Sequence, residues 1–145
     1  MSVDVEVVRE ASDEILKAFG RLLPQLSRSA EPLDVEALRA LVTWPGNRQL
    51  IARVDGEIVG ALTLVMFPIP TGLRAWIEDV VVDGAARGHG VGSALTLEAV
   101  RLARAEGART VDLTSRPSRV PANRLYERLG FQLRDSKVYR LDGEL

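Results

Sequence analysis

A glycine-rich segment at residues 83–93 holds the groups best suited to chemistry in this chain. It reads Asp-Gly-Ala-Ala-Arg-Gly-His-Gly-Val-Gly-Ser and follows the apolar run Val80-Val81-Val82. An amphipathic pattern that predicts a helix comes directly after it. A helix N-terminus carries unpaired N–H groups and a partial positive charge, and glycines let a phosphate approach the main chain. The segment therefore predicts a pyrophosphate site.

Three other interpretations of this segment are weaker. A Rossmann dinucleotide site would use an acid about 20 residues further on, where Asp112 lies, but the glycines at 88, 90 and 92 have the wrong spacing. Half the chain also precedes the strand, and too few residues follow it. A nucleoside-triphosphate loop needs Gly-Lys before Ser or Thr, which is absent. A merely tight connection does not explain three alternating glycines beside Arg87.

The elements that must position this segment follow from periodicity and turn residues. Strand patterns occupy residues 3–8, 49–54, 57–67, 74–83, 109–113, 131–133 and 138–141, and helical patterns start at Ser12 and Asp34 and cover 91–106 and 119–129. Pro24 is expected to end the first helix, Asp55-Gly56 to form a tight hairpin turn, and residues 68–72 to form a loop. The order predicts an α/β (α+β) fold with a mixed, mostly antiparallel sheet of about seven strands and about four helices.

Length and composition limit the class of protein. The 145 residues, 46% of them hydrophobic and 27% charged, fit one globular domain that spans residues 1–145. A net charge of -1 with scattered basic residues argues against nucleic-acid partners. An apolar run long enough for a membrane span and a leader-like N-terminus are both lacking, so we expect a cytoplasmic protein without a membrane partner.

Cysteine and histidine usage limits the chemistry further. The chain contains no cysteine, which excludes a mechanism with a transiently acylated cysteine and excludes thiolate metal sites. His89 is the single histidine, so a His-rich metal site is impossible. We therefore expect no metal, and we expect the imidazole of His89 to point outward from the glycine-rich segment.

Two motifs together resemble the GNAT superfamily of N-acetyltransferases. The first is Arg87-x-x-Gly90-x-Gly92 after the valine run, and the second is Leu125-Tyr126-Glu127-Arg128-Leu129-Gly130-Phe131. The element order resembles that fold over nearly the whole chain, although residues 1 to about 50 match only in pattern. The resemblance implies a single acetyltransferase domain that binds acetyl-CoA as acyl donor beside a splayed pair of parallel strands.

The resemblance also implies where acetyl-CoA binds. The pantetheine arm would run along the main chain of the valine strand, which requires the strands at Val80 and Val111 to separate at their ends. The implied cofactor-binding residues are Val80, Val81, Val82, Arg87, Gly88, His89, Gly90, Val91, Gly92, Ser93, Asn123 and Tyr126.

Acetyl transfer needs a proton for the departing thiolate and a neutral amine. Tyr126 matches the family tyrosine that protonates the thiolate; the alternative is an ordinary core aromatic. Glu78 resembles the strand glutamate that some members use as a base, with Asp79 as the second candidate. These two adjacent carboxylates are expected on opposite faces of the strand. Substrate anchoring, a solvated charge, or proton loss to solvent remain alternatives for them.

One position departs from the family pattern. Many members carry asparagine seven residues before the tyrosine, where this chain has Arg119. Its own asparagine, Asn123, is assigned to the cofactor by resemblance. Arg119 is a candidate for contact with the cofactor or with an acidic group of the substrate, and a solvated helix residue is the alternative for either side chain.

The sequence leaves three functions to compare. The first is an N-acetyltransferase that moves the acetyl group from acetyl-CoA to a primary amine of a small molecule by direct attack in a ternary complex. The alternatives are a protein or peptide N-acetyltransferase and a non-catalytic acyl-CoA-binding module. Folds of this kind frequently form a homodimer, but no apolar stripe in the sequence requires one. The acceptor is not identified by the residues that would hold it, 23–33, 67–73 and 115–121.

Overall fold

The computed structural model describes residues 2–143, which form two compact units, one up to Thr114 and one from Ser115. The first unit contains β1 (Val3–Val7), α1 (Asp13–Leu26), α2 (Val35–Thr43), β2 (Asn47–Val54), β3 (Glu57–Ile69), β4 (Gly72–Val82), a 3-10 turn (Gly84–Ala86), α3 (Val91–Ala105) and β5 (Thr110–Asp112). The second unit contains α4 (Val120–Arg128). Among residues 2–143, no helix combines the length and the apolar character needed to cross a membrane.

The five strands form one mixed sheet in the order β1-β2-β3-β4-β5. The first three ladders are antiparallel, and β5 pairs with β4 in parallel. The mixed, mostly antiparallel sheet and the helices expected from the sequence are therefore confirmed.

The predicted number of about seven strands is wrong. Residues 131–133 and 138–141 form no strand. A short apolar run becomes a strand only when it has a ladder partner and a buried face. Leu133 is 99% exposed and Tyr139 is 88% exposed, so neither segment has such a face.

Side-chain caps fix the starts of the first two helices where the sequence places them. Ser12 Oγ accepts a hydrogen bond from the Ile15 N–H at 3.3 Å, and Asp34 Oδ1 accepts one from the Ala37 N–H at 2.7 Å. Each bond pairs one of the N–H groups that a helix start leaves free. Both predicted helix starts are confirmed.

The first helix does not end at Pro24, as its sequence predicts, but continues to Leu26. Proline lacks an N–H group, so only the bond from residue 24 to the carbonyl of Gly20 is lost. The Ser27 N–H still bonds the Leu23 carbonyl at 2.9 Å and completes the last turn. The extension carries Gln25 into helical structure.

The predicted hairpin turn at Asp55-Gly56 is confirmed. The two residues have φ angles of +50° and +82°, as a two-residue turn between twisted strands requires. The next connection is tighter than the expected loop over residues 68–72, because β3 extends to Ile69 and β4 starts at Gly72. Ladder pairing between Ile69 and Gly72 closes this second hairpin.

The main core lies between one face of the sheet and the first two helices. Its buried members are Val8, Ile15, Ala18, Phe19, Leu22, Leu38, Ile51, Ile58, Ala61 and Val81. Neighbouring residues of a strand point to opposite faces, so Gly60 faces away from Ala61. A Cβ at Gly60 would meet Val91 and Leu95 of α3. The sheet is therefore covered by α1 and α2 on one face and by α3 on the other.

An ion pair that joins the first helix to the first hairpin makes stability depend on pH. Arg53 contacts both oxygens of Glu14 at 2.8 Å and Glu6 Oε1 at 2.9 Å. The hydrogen bond from Arg53 lowers the pKa of Glu14 below its ordinary 4.5. A lowered folded-state pKa adds stability above the unfolded pKa, and this stability is lost as the pH falls through the folded pKa.

The Glu14→Gln variant tests this dependence. Its free energy of unfolding should lie below that of the unaltered protein at neutral pH, and the difference should shrink as the pH falls below 4.5, where Glu14 becomes protonated. Urea denaturation at a series of pH values measures the free energy of unfolding of the two proteins and the change of their difference with pH. Glu31→Gln, outside the salt bridges among the described residues, controls for loss of one charge. A difference that stays constant with pH would contradict the assignment.

Candidate active site

The ladder between the parallel strands β4 and β5 is short and ends well before the end of β4. The β4–β5 ladder consists of Arg74 with Thr110, Ala75 with Val111, and Trp76 with Asp112. β5 ends at Asp112, whereas β4 continues to Val82. Residues 77–82 of β4 therefore have no β5 partner, which is consistent with strands that separate beyond Trp76 and Asp112. An unpaired strand edge can hydrogen-bond the amides of an extended ligand.

A salt bridge holds the paired end of the two strands. Arg74 Nη2 lies 2.6 Å from Asp112 Oδ2, and both side chains are partly exposed. The bond joins the first ladder residue of β4 to the last residue of β5, within the paired part of the two strands. Asp112 is thus occupied by Arg74, which adds a structural argument against its use as the ribose-binding acid of a dinucleotide site.

A β-bulge interrupts β4 where its two candidate bases lie. Ala61 pairs with Val81 and Thr63 with Glu78, so two steps along β3 match three along β4. Asp79 at this bulge has a φ angle of +49°. Left-handed backbone costs a non-glycine residue on the order of 1–2 kcal/mol, and such strain clusters at functional sites.

The bulge interrupts the alternation of faces between Glu78 and Val81. Cross-strand partners share a face of the sheet, so Glu78 and Val81 both lie on the face of Ala61 and Thr63. Glu78 and Asp79 are both exposed. Each carboxylate is therefore accessible to a substrate next to the unpaired edge of β4.

The glycine-rich segment forms a short turn followed by an uncapped helix start. Asp83 Oδ1 accepts the Ala85 N–H at 3.1 Å and stabilises the 3-10 turn. Gly88 and Gly90 have φ angles of +87° and +76°, which glycine adopts at low cost. Gly90 is the N-cap of α3 and provides no side-chain cap. The first N–H groups of α3 therefore remain available to an anion.

Side-chain burial separates the predicted cofactor residues into two groups. Val81 and Val91 are 6% and 2% exposed, so only their main chain can reach a ligand. Arg87 and His89 are exposed in the segment, and the imidazole is thus accessible to solvent as expected. The remaining predicted residues of this unit, Val80, Gly88, Gly90, Gly92, Val82 and Ser93, are partly or fully exposed.

Gly60 allows α3 to lie close to the sheet. A Cβ there would come within 2.8 Å of Val91 Cγ1 and 3.1 Å of Leu95 Cδ1. Contacts this short force the neighbouring side chains to move. Gly60 was not among the site residues predicted from sequence, although an isolated glycine inside a strand pattern is a signal for a close approach.

In the second unit, Tyr126 is a buried residue of α4. It is 7% exposed, and its ring packs edge-on against Phe131 with centroids 5.9 Å apart. Burial raises the pKa of the Tyr126 phenol above its ordinary 10.0, and the charge of Arg119 partly opposes this shift. The phenol therefore holds its proton at neutral pH, as a proton donor must.

Asn123 stabilises the turn that precedes α4. Its Nδ2 donates to the Arg116 carbonyl at 3.0 Å, and the Arg119 N–H bonds the same carbonyl at 3.0 Å. The amide nitrogen of Asn123 thus has a structural partner within its own unit. Arg119, the N-cap of α4, is exposed. Within residues 2–143, no group of three or more His, Asp or Glu side chains is placed to hold a metal ion.

Comparisons with known proteins support one family. A family model described as the acetyltransferase (GNAT) family matches residues 13–131. A glucosamine 6-phosphate N-acetyltransferase of Trypanosoma brucei brucei is 36% identical over 149 aligned positions, which cover 97% of each chain. An L-amino acid N-acetyltransferase of Escherichia coli K12 is 32% identical over 76% of this chain and 69% of its own.

A solved structure of an acetyltransferase has a similar fold. The crystal structure of a Trypanosoma brucei acetyltransferase superposes with a TM-score of 0.79 at 31% identity, and the match covers 97% of this chain and 99% of that one.

Proposed function

The chain belongs to the acetyltransferase (GNAT) family, and we propose that it transfers the acetyl group of acetyl-CoA to the primary amine of a small molecule. The carrying observation is the separation of β4 from β5 beside an uncapped helix start. We further propose that residues 1–145 act as one domain. The family match over residues 13–131, which includes parts of both units, supports this.

The residues of the first unit fit acetyl-CoA. The free edge at residues 77–82 offers main-chain groups to the two amides of the pantetheine arm. The N–H groups of residues 88–93 and the guanidinium of Arg87 suit the pyrophosphate. Side chains at Gly88 and Gly90 would be strained at positive φ. When bound, acetyl-CoA supplies an activated acetyl thioester.

Tyr126 is proposed as the proton donor to the departing thiolate. In the overall reaction the amine nitrogen bonds to the acetyl carbon, the carbon–sulfur bond breaks, and sulfur receives a proton. The buried phenol keeps that proton at neutral pH. The motif Leu125-Tyr126-x-x-x-Gly130-Phe131, which matches the family, supports the role. Since the chain has no cysteine, attack by the amine is direct.

Glu78 is proposed as the base that accepts the proton of the amine, with Asp79 as second candidate. Both are exposed at the bulge of β4, beside its unpaired edge. A main-chain N–H of residues 80–82 is proposed to polarise the thioester carbonyl, as an oxyanion-binding donor does.

The Glu78→Gln variant should lower kcat/KM for the amine by about 10²-fold, the usual contribution of a positioned base. The loss should shrink as the pH rises, because more of the amine is then neutral without help from the enzyme. Steady-state release of the CoA thiol measures this. Asp79→Asn is the matched comparison and should have the smaller effect. If Glu78→Gln retains full activity while Asp79→Asn loses it, the order of the two candidates is reversed.

The acceptor class is tested with a panel of amines. The names of two relatives state glucosamine 6-phosphate and L-amino acids as acceptors, which supports a small molecule here. The panel should contain both of these, plain glucosamine, and short peptides. Turnover restricted to small amines is expected. Acetylation of peptides alone would favour a protein acceptor, and acetyl-CoA binding without any transfer would favour a binding module.

A further inference from the structure

One side chain links the last turn of α1 to the glycine-rich segment. Gln25 Oε1 accepts a hydrogen bond from the Gly84 N–H at 2.9 Å. The other end of the same amide, Nε2, donates to the Arg21 carbonyl at 3.2 Å. Both ends of the amide are thus used, so α1 orients the group that holds Gly84.

The other contacts of this segment with the rest of the chain are mainly at its first residue, where the Asp83 N–H bonds the Val59 carbonyl at 2.8 Å. Asp83 caps the 3-10 turn from inside the segment, and Ala86 is the one buried residue between Asp83 and Gly90. In the part of the chain that the structure describes, Gln25 provides the only side-chain hydrogen bond from another element to the main chain of residues 83–90. A weakly restrained segment costs ordering entropy when it binds a ligand.

We propose that Gln25 is a positioning residue for acetyl-CoA binding. Its bond holds Gly84, one residue beyond the main-chain bond of Asp83 to Val59, so that the N–H groups of residues 88–93 are already arranged for the pyrophosphate. The helix extension past Pro24 makes this possible, because it places Gln25 one turn after Arg21. This role rests on the proposed function and concerns the affinity for acetyl-CoA, not the chemical step.

The Gln25→Met variant removes both hydrogen bonds and keeps a similar length. Calorimetric titration should show acetyl-CoA binding weakened about three- to tenfold, the effect of one lost hydrogen bond. Amide hydrogen exchange at Gly84 should become faster. The kcat at saturating acetyl-CoA should stay near that of the unaltered enzyme.

Arg21→Met is the matched control on the same helix. Its guanidinium donates to the Ile58 carbonyl at 2.8 Å, so the variant loses a bond to the hairpin, while the Arg21 carbonyl still bonds Gln25. The control should lower the Tm without changing the Kd for acetyl-CoA or the exchange rate at Gly84.

Two results would overturn the role of Gln25 and leave the proposed function intact. One is an unaltered Kd in Gln25→Met, and the other is equal weakening in Arg21→Met. In both, the unaltered protein still binds acetyl-CoA. Absence of binding by the unaltered protein would instead overturn the proposed function, and the role of Gln25 with it.

Discussion

Replacement of Tyr126 by phenylalanine is expected to lower kcat by about 10²- to 10³-fold, within the range for loss of a general acid. The ring is buried against Phe131, and phenylalanine preserves that packing. Acetyl-CoA affinity should therefore change little. Single-turnover kinetics combined with calorimetric titration separates the chemical step from binding.

The second tyrosine provides a control. Tyr139 is 88% exposed, so Tyr139→Phe should leave kcat unchanged. Because burial raises the pKa of Tyr126 above 10.0, any decline of kcat caused by Tyr126 deprotonation should have its midpoint above pH 10.0 in the unaltered enzyme. Full activity of Tyr126→Phe would remove the proposed acid and leave Tyr126 as a core aromatic.

Substitution of Gly60 should weaken acetyl-CoA binding, because a side chain there would press on Val91 and on the Val81 carbonyl, two residues of the predicted cofactor site. A methyl group there would lie 2.8 Å from Val91 Cγ1, at the first residue of α3. Overpacking of this kind costs ~1–3 kcal/mol, and a loss of about 1.4 kcal/mol in binding is tenfold in Kd. We expect roughly tenfold weaker binding for Gly60→Ala and a larger loss for Gly60→Val, because α3 must move relative to β4.

A second substitution tests this explanation. Val91→Ala removes the atom nearest to the new methyl group, so Gly60→Ala/Val91→Ala should bind acetyl-CoA more tightly than Gly60→Ala alone. Urea denaturation of the same variants shows whether stability changes in parallel. Tight binding by Gly60→Val would contradict a dependence of the cofactor site on the seating of α3.

Local features of the fold are predictable from the sequence because they depend on neighbours along the chain. The caps at Ser12 and Asp34 and the turn at Asp55-Gly56 each need only a few adjacent residues, and all three form as expected. The helix that starts at Val91, directly after Gly88-His89-Gly90, is equally local. The glycine-rich segment of the candidate site is therefore predictable as a strand-turn-helix connection.

Features that depend on a distant partner are not predictable in this way. The bulge at Asp79 arises from the pairing of β4 with β3, and the residue pattern of β4 does not predict it. The strands expected at residues 131–133 and 138–141 would require a ladder partner, which the structure does not give them. Gln25 becomes part of the candidate site only because α1 continues past Pro24.

Calorimetric titration with acetyl-CoA tests the central claim most directly. The unaltered protein should bind one equivalent, and a variant with Gly90 and Gly92 both replaced by valine should not, because side chains there obstruct the start of α3 and strain a backbone with φ of +76° at Gly90. Circular dichroism should confirm that the variant is folded. Binding by both proteins would contradict the assigned location, and absence of binding by the unaltered protein would contradict acetyl-CoA as the donor.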